Sequence, residues 1–507
     1  MKSLLTAALV TGLAATAHAN PQIDVIAVSG DPTPDGNGTF DGTFSPPILN
    51  DNGTVAFEAG VTGTTGGAND GEWIIVGDTN VLSTVVAEGQ PALDGNGTFA
   101  SFPDGDLQLN NSGQVLTGVF YNSSNDTRRG VVRGDGTSLV SIYRQGDPDP
   151  VTGNGSFGAS TGGDLGASGQ AAFVQGTQVT PQRLFLGDGT TTQALLNTGD
   201  ASPDGSGTVT LIGATFQVNP SDRVLAGIQV DDGGGDEYLL LTIDSSSSQP
   251  IFRQGDASPE GNGVFNTPSS VALDAAGNVT FTGALTGTAE GNADDRGLYR
   301  YDALTDTVSN LAREGQPVPG GDGEFGKFGV VVVNETGDFA LSADLTDTTA
   351  SQALFYSDGS TISEVYRQGD VVPGGDGEFL GVGGYAINEA GQLALQAFIT
   401  NTASTEIESA LYLWDPVDGI SELLRSGDPL LGSTIDSAQS PGGGLRFATG
   451  SDFVSGFNDT GVPQLAFSFG LEDGTTGIGL YTIPEPTTAA LVALGGLAIL
   501  RRTRRHA

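Results

Sequence analysis

Apolar residues along this chain come in short runs that often alternate with polar ones, and each run is bounded by Gly, Asn or Asp. Side chains alternate between the two faces of a strand, so this pattern predicts β-strands; no stretch carries a convincing helical period. The pattern is clearest over 366–425. Tyr366-Arg-Gln-Gly-Asp370 leads to the turn Pro373-Gly-Gly-Asp-Gly-Glu-Phe379, then to Gly384-Tyr-Ala-Ile-Asn388 and a turn at Gly391, with further strands over 393–400, 410–414 and 420–425. One such unit holds four short strands.

The unit recurs eight times. Gly followed by Asp or Gln stands at Gly30, Gly89, Gly146, Gly199, Gly255, Gly315, Gly369 and Gly427, with spacings of 59, 57, 53, 56, 60, 54 and 58. A second landmark is a Gly-rich turn ending in Phe, as in Asp35-Gly-Asn-Gly-Thr-Phe40, Asp94-Gly-Asn-Gly-Thr-Phe99, Asp322-Gly-Glu-Phe325 and Asp376-Gly-Glu-Phe379. The fourth copy has Val209 in place of the Phe, and the eighth, after Gly427, loses the pattern. The third landmark is Asn-x-x-Gly-x-x-Ala-Phe, clearest from Asn50, Asn334 and Asn388 and looser at Asn110, Gly166, Asn219, Asp274 and Asn458. Its Asn and Gly suit a turn, and its apolar pair opens the next strand.

Four-stranded units repeated at this period predict an all-β fold, an eight-bladed β-propeller. The phase of the ends supports a closed ring. Ile23–Val28 reads as a fourth strand and Gly477–Ile483 as a third, so the N-terminal strand would complete the last blade. An open array or tandem β-sandwiches is the alternative, but an open array would leave two sheet edges exposed.

Composition then narrows the chemistry. Gly is 79 of 507 residues, about twice the usual share, as tight turns require. No Cys is present, which excludes disulfides, thiolate zinc sites and thiol nucleophiles. Formal net charge is −41, and the interior alone carries 14 basic against 60 acidic residues, −46. Nucleic acid is therefore excluded as a partner on charge, and a solvated acidic surface is expected.

The ends carry targeting signals. Residues 1–19 combine Lys2, an apolar run and Ala17-His-Ala19, the form of a secretory signal peptide cleaved after Ala19 by signal peptidase. Residues 484–507 run Pro484-Glu485-Pro486, an uncharged segment from Thr487 to Leu500, then Arg501, Arg502, Arg504 and Arg505. The uncharged segment reaches about 21 Å as a helix, short for an ordinary span, and the arginines would stay in the cytoplasm. This tail resembles the PEP-CTERM sorting signal. The resemblance implies transient membrane insertion and cleavage near Pro484-Glu485-Pro486 by an exosortase-like enzyme. With the tandem Asn-x-x-Gly-x-x-Ala-Phe pattern, the chain also resembles a bacterial family of anchored repeat proteins, which implies surface sorting and no defined activity. The expected organisation is a signal peptide over 1–19, a propeller over 20–483 and a sorting signal over 484–507. The expected destination is the cell surface or extracellular matrix, with transient or retained C-terminal anchoring.

Processing at both ends would remove His18 and His506, the only histidines, and leave Lys327 as the single lysine. Histidine-dependent triads, histidine zinc sites and most lysine Schiff-base schemes then lose their essential residue. Five of the 13 interior arginines share one register, two residues before the landmark Gly: Arg144, Arg253, Arg313, Arg367 and Arg425. Repetition favours a structural pair with the Asp after the Gly or with a carboxylate of the adjacent blade; a ring of arginines binding an anionic polymer is the functional alternative. The turn residues Asp35, Asn37, Asp94, Asn96, Asp322, Glu324, Asp376 and Glu378 offer oxygen ligands suited to calcium, although a full twelve-residue calcium loop is absent. Trp73 and Trp414 fall in third strands, where packing is expected. No single non-repeated polar cluster marks a catalytic position, so no catalytic residue is assigned. The sequence thus points to a non-enzymatic structural or binding propeller associated with extracellular polysaccharide. The alternatives are an acid-pair glycoside hydrolase, a calcium-dependent lyase or a lectin-like glycan binder.

Overall fold

A computed structural model describes residues 22–483 apart from 68–69, 104–106, 124–125, 149–156, 159–161, 178–179, 402–406, 438–443, 451–454 and 459–460. The expected leader with Ala19 and the tail with Pro484, Glu485, Pro486 and the four arginines lie outside the described residues. Among the described residues no helix is long and apolar enough to cross a membrane.

Eight antiparallel sheets of four or five strands follow one another, each built from one repeat. Blade 5 shows the plan: Val264–Leu273, Val279–Thr286, Arg296–Asp302 and Thr307–Arg313 pair in sequence order. In blades 1, 2 and 7 the first strand is broken in two, for example Thr98–Ser101 and Gln108–Leu109, both against Val115–Ser123. The first strands contact one another around a complete circuit, from Ile48–Leu49 of blade 1 through every blade to Phe457–Asn458 of blade 8 and back. They therefore surround the axis, and the fourth strands lie at the rim.

Closure is as the phase of the ends requires. Gln22–Val28 pairs antiparallel with Thr476–Thr482, with Gln22 opposite Thr482, so the first strand of the chain is the fourth strand of blade 8. The apolar core is divided into eight clusters, and each lies between two successive blades. The cluster between blades 8 and 1 joins Ala466, Ile478 and Leu480 to Val55, Phe57 and Trp73, so the last interface is as dry as the others. The Phe of the Gly-rich turn and the Phe that opens the second strand meet there in several blades, with ring centroids 6.4 Å apart for Phe40–Phe57, 5.9 Å for Phe157–Phe173 and 6.0 Å for Phe265–Phe281. Such rings bury large areas and lock blade to blade. Trp73 and Trp414 are buried, as expected for packing.

Each blade presents two sets of turns at opposite ends. The Gly-Asp joints and the loops between second and third strands stand on one face. The Asn-x-x-Gly turns and the turns between third and fourth strands stand on the other.

Candidate functional site

The charged groups of the joint face are engaged in holding the joints. In all eight repeats the landmark Gly N–H donates to the carbonyl of the residue that follows the Gly-rich turn, from Gly30 to Phe40 through Gly369 to Phe379. The eighth repeat keeps this bond with Ile435 in place of Phe, through the short hairpin of Pro429–Leu430 and Ser433–Thr434. The Asp or Gln after the Gly accepts the backbone N–H three residues earlier in every copy: Asp31 from Val28, Gln90 from Ala87, Asp147 from Arg144, Asp200 from Asn197, Asp256 from Arg253, Gln316 from Arg313, Asp370 from Arg367 and Asp428 from Arg425. That carboxylate is the backbone's partner and not the arginine's.

The arginine instead reaches back to the turn that opens its own blade. Arg144 pairs with Asp94, Arg253 with Asp204, Arg313 with Glu260, Arg367 with Asp322 at 3.0 Å and Arg425 with Asp376 at 2.8 Å. Further carboxylates join: Glu237 at 2.6 Å from Arg253, Glu364 at 2.5 Å from Arg367 and Glu408 at 2.5 Å from Arg425. Arg144 also lies 4.0 Å above the Tyr121 ring. The five side chains are only 4–16% exposed, so the register ties the last strand of a blade to its first turn and leaves no ring of free cations.

The calcium-turn residues sit where the repeat predicts, with their oxygens directed at N–H and O–H groups. Asp35 accepts Thr33 Oγ1 and the Asn37 N–H, each at 2.9 Å, and Asn37 Oδ1 accepts the Thr65 N–H at 2.8 Å. Asp94 accepts the Asn96 N–H at 2.9 Å, and the Asn96 carbonyl accepts from Arg144 at 2.6 Å. Asp322 accepts Thr348 Oγ1 at 3.2 Å beside its arginine, while Glu324 and Glu378 lie in first strands of blades 6 and 7. A cation at Asp94, Asp322 or Asp376 would have to displace a guanidinium; at Asp35 the corresponding register position is Ala87. Among the described residues no group of three or more His, Cys, Asp or Glu side chains is placed to hold a metal.

On the opposite face a ring of buried asparagines binds the blades. Asn50, Asn110, Asn219, Asn334, Asn388 and Asn458 each donate their amide to a carbonyl of the next blade: Asn110 at 2.9 Å, Gly166 at 3.2 Å, Asp274 at 3.1 Å, Asn388 at 2.9 Å, Asn458 at 3.4 Å and Asn50 at 2.6 Å. The amide oxygen meanwhile caps its own turn, as Asn50 does for the N–H groups of Asn52 and Thr54. The amide accepts on one side and donates on the other, which neither an ionised Asp nor a Gly side chain can do, so either at this position breaks the relay. Both gaps are bridged otherwise. At Gly166, Ser168 Oγ donates to Asp222 of blade 4 at 2.7 Å. At Asp274, the Ala275 N–H reaches the Glu335 carbonyl at 3.3 Å and Arg300 donates to the Gly337 carbonyl at 2.7 Å.

The turns between third and fourth strands each begin with an aspartate whose carboxylate gathers two backbone N–H groups: Asp78, Asp135, Asp188, Asp244, Asp302, Asp358 and Asp415. All seven are held below the ordinary aspartate value. At Asp135 and Asp244 burial alone would raise the pKa, but the bonds from Thr137 and Ser138, and from Ser246 and Ser247, together bring each to about 2.

One carboxyl runs the other way. Asp164, on the first strand of blade 3, is pushed up to about 7 by burial, against bonds from the Val218 N–H and Gln108. It takes the place of a glutamine that blades 2 and 4 use to cross to the next blade: Gln108 accepts the Leu165 N–H and donates to the Gly163 carbonyl, and Gln217 does the same with Leu273 and Val271. A carboxylate can satisfy only the first of those two groups. Nothing in its local pattern marks it; the alignment with Gln108 and Gln217 is the signal.

A groove departs from the repeat at the same interface. It has a volume of about 510 Å³, runs between blades 3 and 4 on the asparagine face, and is lined by Gln170, Gln193, Ser221, Asp222, Asp244 and Ser245 over Leu186. Asp222 stands where seven repeats have the turn Gly and adopts φ 59°, a left-handed conformation that Asp tolerates better than most residues.

No curated protein matches the sequence. Solved structures similar to it include an oligogalacturonate lyase in complex with manganese, 14% identical over 78% of this chain and 96% of that one, with a TM-score of 0.38. A Trypanosoma rangeli sialidase in complex with the inhibitor DANA is 10% identical over 78% and 60%, TM-score 0.30. A Pyrococcus horikoshii acylaminoacyl peptidase is 11% identical over 73% of this chain and 52% of that one, TM-score 0.36. At such identity and score the likeness says nothing of activity. The sequence model of one protein family, described as a family of unknown function, DUF7453, matches residues 7–353 and 346–490, nearly the whole chain, and the chain belongs to that family.

Proposed function

We propose that this protein is an exported β-propeller, sorted to the cell surface or extracellular matrix, that acts as a structural and binding module among extracellular polysaccharides and not as a catalyst. The observation that carries this reading is where the chemistry-bearing side chains go. The five register arginines, the landmark carboxylates and the asparagines are engaged, repeat after repeat, in joining strand to turn and blade to blade. A catalytic centre needs a polar constellation set apart from its surroundings and oriented on a substrate. Repeated joints do not supply one.

Export and sorting rest on the leader and the PEP-CTERM-like tail. Gln22 and Thr482 are paired in blade 8, so the two ends of the described propeller lie side by side. Calcium, if it binds, meets least competition at Asp35 and Asn37.

The test is to incubate the processed chain, residues 20–483, with a panel of extracellular polysaccharides, with and without a chelator, and to follow retention and reducing ends together. Retention without new reducing ends is expected. Release of reducing ends would overturn the non-catalytic reading in favour of a hydrolase or lyase, and a melting temperature indifferent to calcium would remove the calcium turns.

A further inference from the structure

At the groove between blades 3 and 4 a bridge that blades 2 and 5 carry is absent, as it is at Val76 of blade 1 and Leu413 of blade 7. The residue of the third strand that pairs one step inside the start of the second strand faces the next blade's turn: it is Arg133 in blade 2, Leu186 in blade 3 and Arg300 in blade 5. Arg133 donates to the Gly169 carbonyl of blade 3, and Arg300 to the Gly337 carbonyl of blade 6. Leu186 has no donor and stops at the groove floor.

Two further features stand at the crevice. The residue after the turn aspartate is Gly136 in blade 2 and Gly189 in blade 3, and a Cβ at either would clash with Ser83 or with Val140 and Ser141 of the preceding blade. There the blades meet backbone to side chain. Blade 4 has the exposed Ser245 at that position, and Asp222 replaces the turn Gly on the facing loop. Thr79, Ala303 and Pro416 also replace the Gly after the turn aspartate elsewhere, so Asp222 is the change peculiar to this interface.

Resting on the binding role proposed above, we infer that this groove is a saccharide-binding site that takes a neutral, hydroxyl-rich segment of polysaccharide. Its volume lies within the roughly 300–1,000 Å³ of ligand sites. Its walls offer the Gln170 amide, the hydroxyls of Ser221 and Ser245 and the Asp222 carboxylate, which also accepts from Ser168; Gln193 Nε2 reaches across to the Ser245 carbonyl at 3.4 Å, and Asp244 is paired with Arg223 at 2.6 Å. Carboxylates only accept, so they call for ligand O–H donors; amides and hydroxyls serve the sugar oxygens. With Asp244 paired to Arg223, Asp222 in a chain of net charge −41 still disfavours anionic polymers. Leu186 is the single apolar side chain of the lining, too little for a ligand held by its apolar surface.

The test restores the missing bridge. Leu186→Arg places in blade 3 the side chain that blades 2 and 5 already carry, filling the groove from below. Retention of the processed chain on dextran, a soluble β-glucan and a galactan, with alginate as the anionic comparison, should show binding to at least one neutral polymer. Leu186→Arg should weaken it at least tenfold with an unchanged or higher melting temperature, and Gln193→Ala a few-fold. If Leu186→Arg fails to fold, Gln193→Ala decides. Undiminished binding by the folded variants would overturn the groove and leave the binding role standing. Preference for alginate would overturn the neutral ligand, and no retention of wild type on any polymer would overturn both readings.

Discussion

The interface between blades 5 and 6 and the one between blades 3 and 4 occupy the same place in the repeat and are built differently. Between blades 5 and 6, Arg300 crosses to the Gly337 carbonyl at 2.7 Å and neutralises the buried Asp274 at 3.2 Å. Between blades 3 and 4, Leu186 stops short, Asp222 occupies the turn Gly position, and Asp164 holds one backbone N–H where a glutamine would hold two groups. The first interface is closed by a charge-assisted bridge. The second is held by its core and by single hydrogen bonds, and it opens to solvent. In a repeat protein most joints recur from blade to blade, so a residue such as Asp222 that breaks an otherwise uniform turn marks the place to look for what the repeat does not explain.

Opening the closed interface should have the largest effect. Arg300→Leu copies blade 3 into blade 5 and leaves the Asp274 carboxylate, whose side chain is 2% exposed, without its guanidinium. Breaking a buried pair in this way costs about 3–5 kcal/mol, and the midpoint of urea unfolding should fall accordingly. A variant as stable as wild type would mean that Arg300 is not what closes the crevice.

Exchanging the turn residues should separate the two interfaces less strongly. A Cβ at Gly337 would clash with Arg300 and stand 2.9 Å from Asp274 Oδ2, so Gly337→Asp should cost roughly 2 kcal/mol or more. Asp222→Gly relieves a positive φ but gives up the bond from Ser168, and should change stability by less than about 1 kcal/mol. Equal costs for the two substitutions would contradict the difference in packing.

The smallest effect depends on pH. Asp164 has a folded pKa raised to about 7 from 3.8, so its contribution is fully present below the unfolded value and is lost as pH rises through about 7. Asp164→Asn should therefore stabilise by about 1–3 kcal/mol at pH 8 and by less at pH 5, read from thermal melts at both. The seven turn aspartates run oppositely: their contribution is present above the ordinary value and is lost as pH falls towards 2. Wild type should be most stable in mildly acidic solution, and a melting temperature that rises steadily from pH 4 to 8 would contradict the assignment of Asp164.

Much of the architecture was legible because it is local and repeated. Strand alternation, the spacing of Gly30 to Gly427 and the displaced phase of Ile23–Val28 together specify eight four-stranded blades and the way the ring closes, since each follows from backbone preference and a fixed side-chain period. The site was less legible. Asn50 or Asn388 reads as a turn former, as it is, but its amide bond to the next blade joins residues 54 to 70 apart in five of the six cases and 408 apart at Asn458 and Asn50. The arginine register was visible; its partner was misplaced, because the nearest carboxylate in sequence is already bonded to the backbone and the turn some fifty residues earlier is nearer in space. Asp164 and Leu186 carried no local signal, and Asp222 showed only as a break in the Asn-x-x-Gly landmark. Sequence by itself determined the number of blades, their strands and the closure, because these depend on periodicity along the chain. Which side chains seal an interface and which leave it open was decided only in the tertiary structure, because that depends on what stands across the gap from the neighbouring blade.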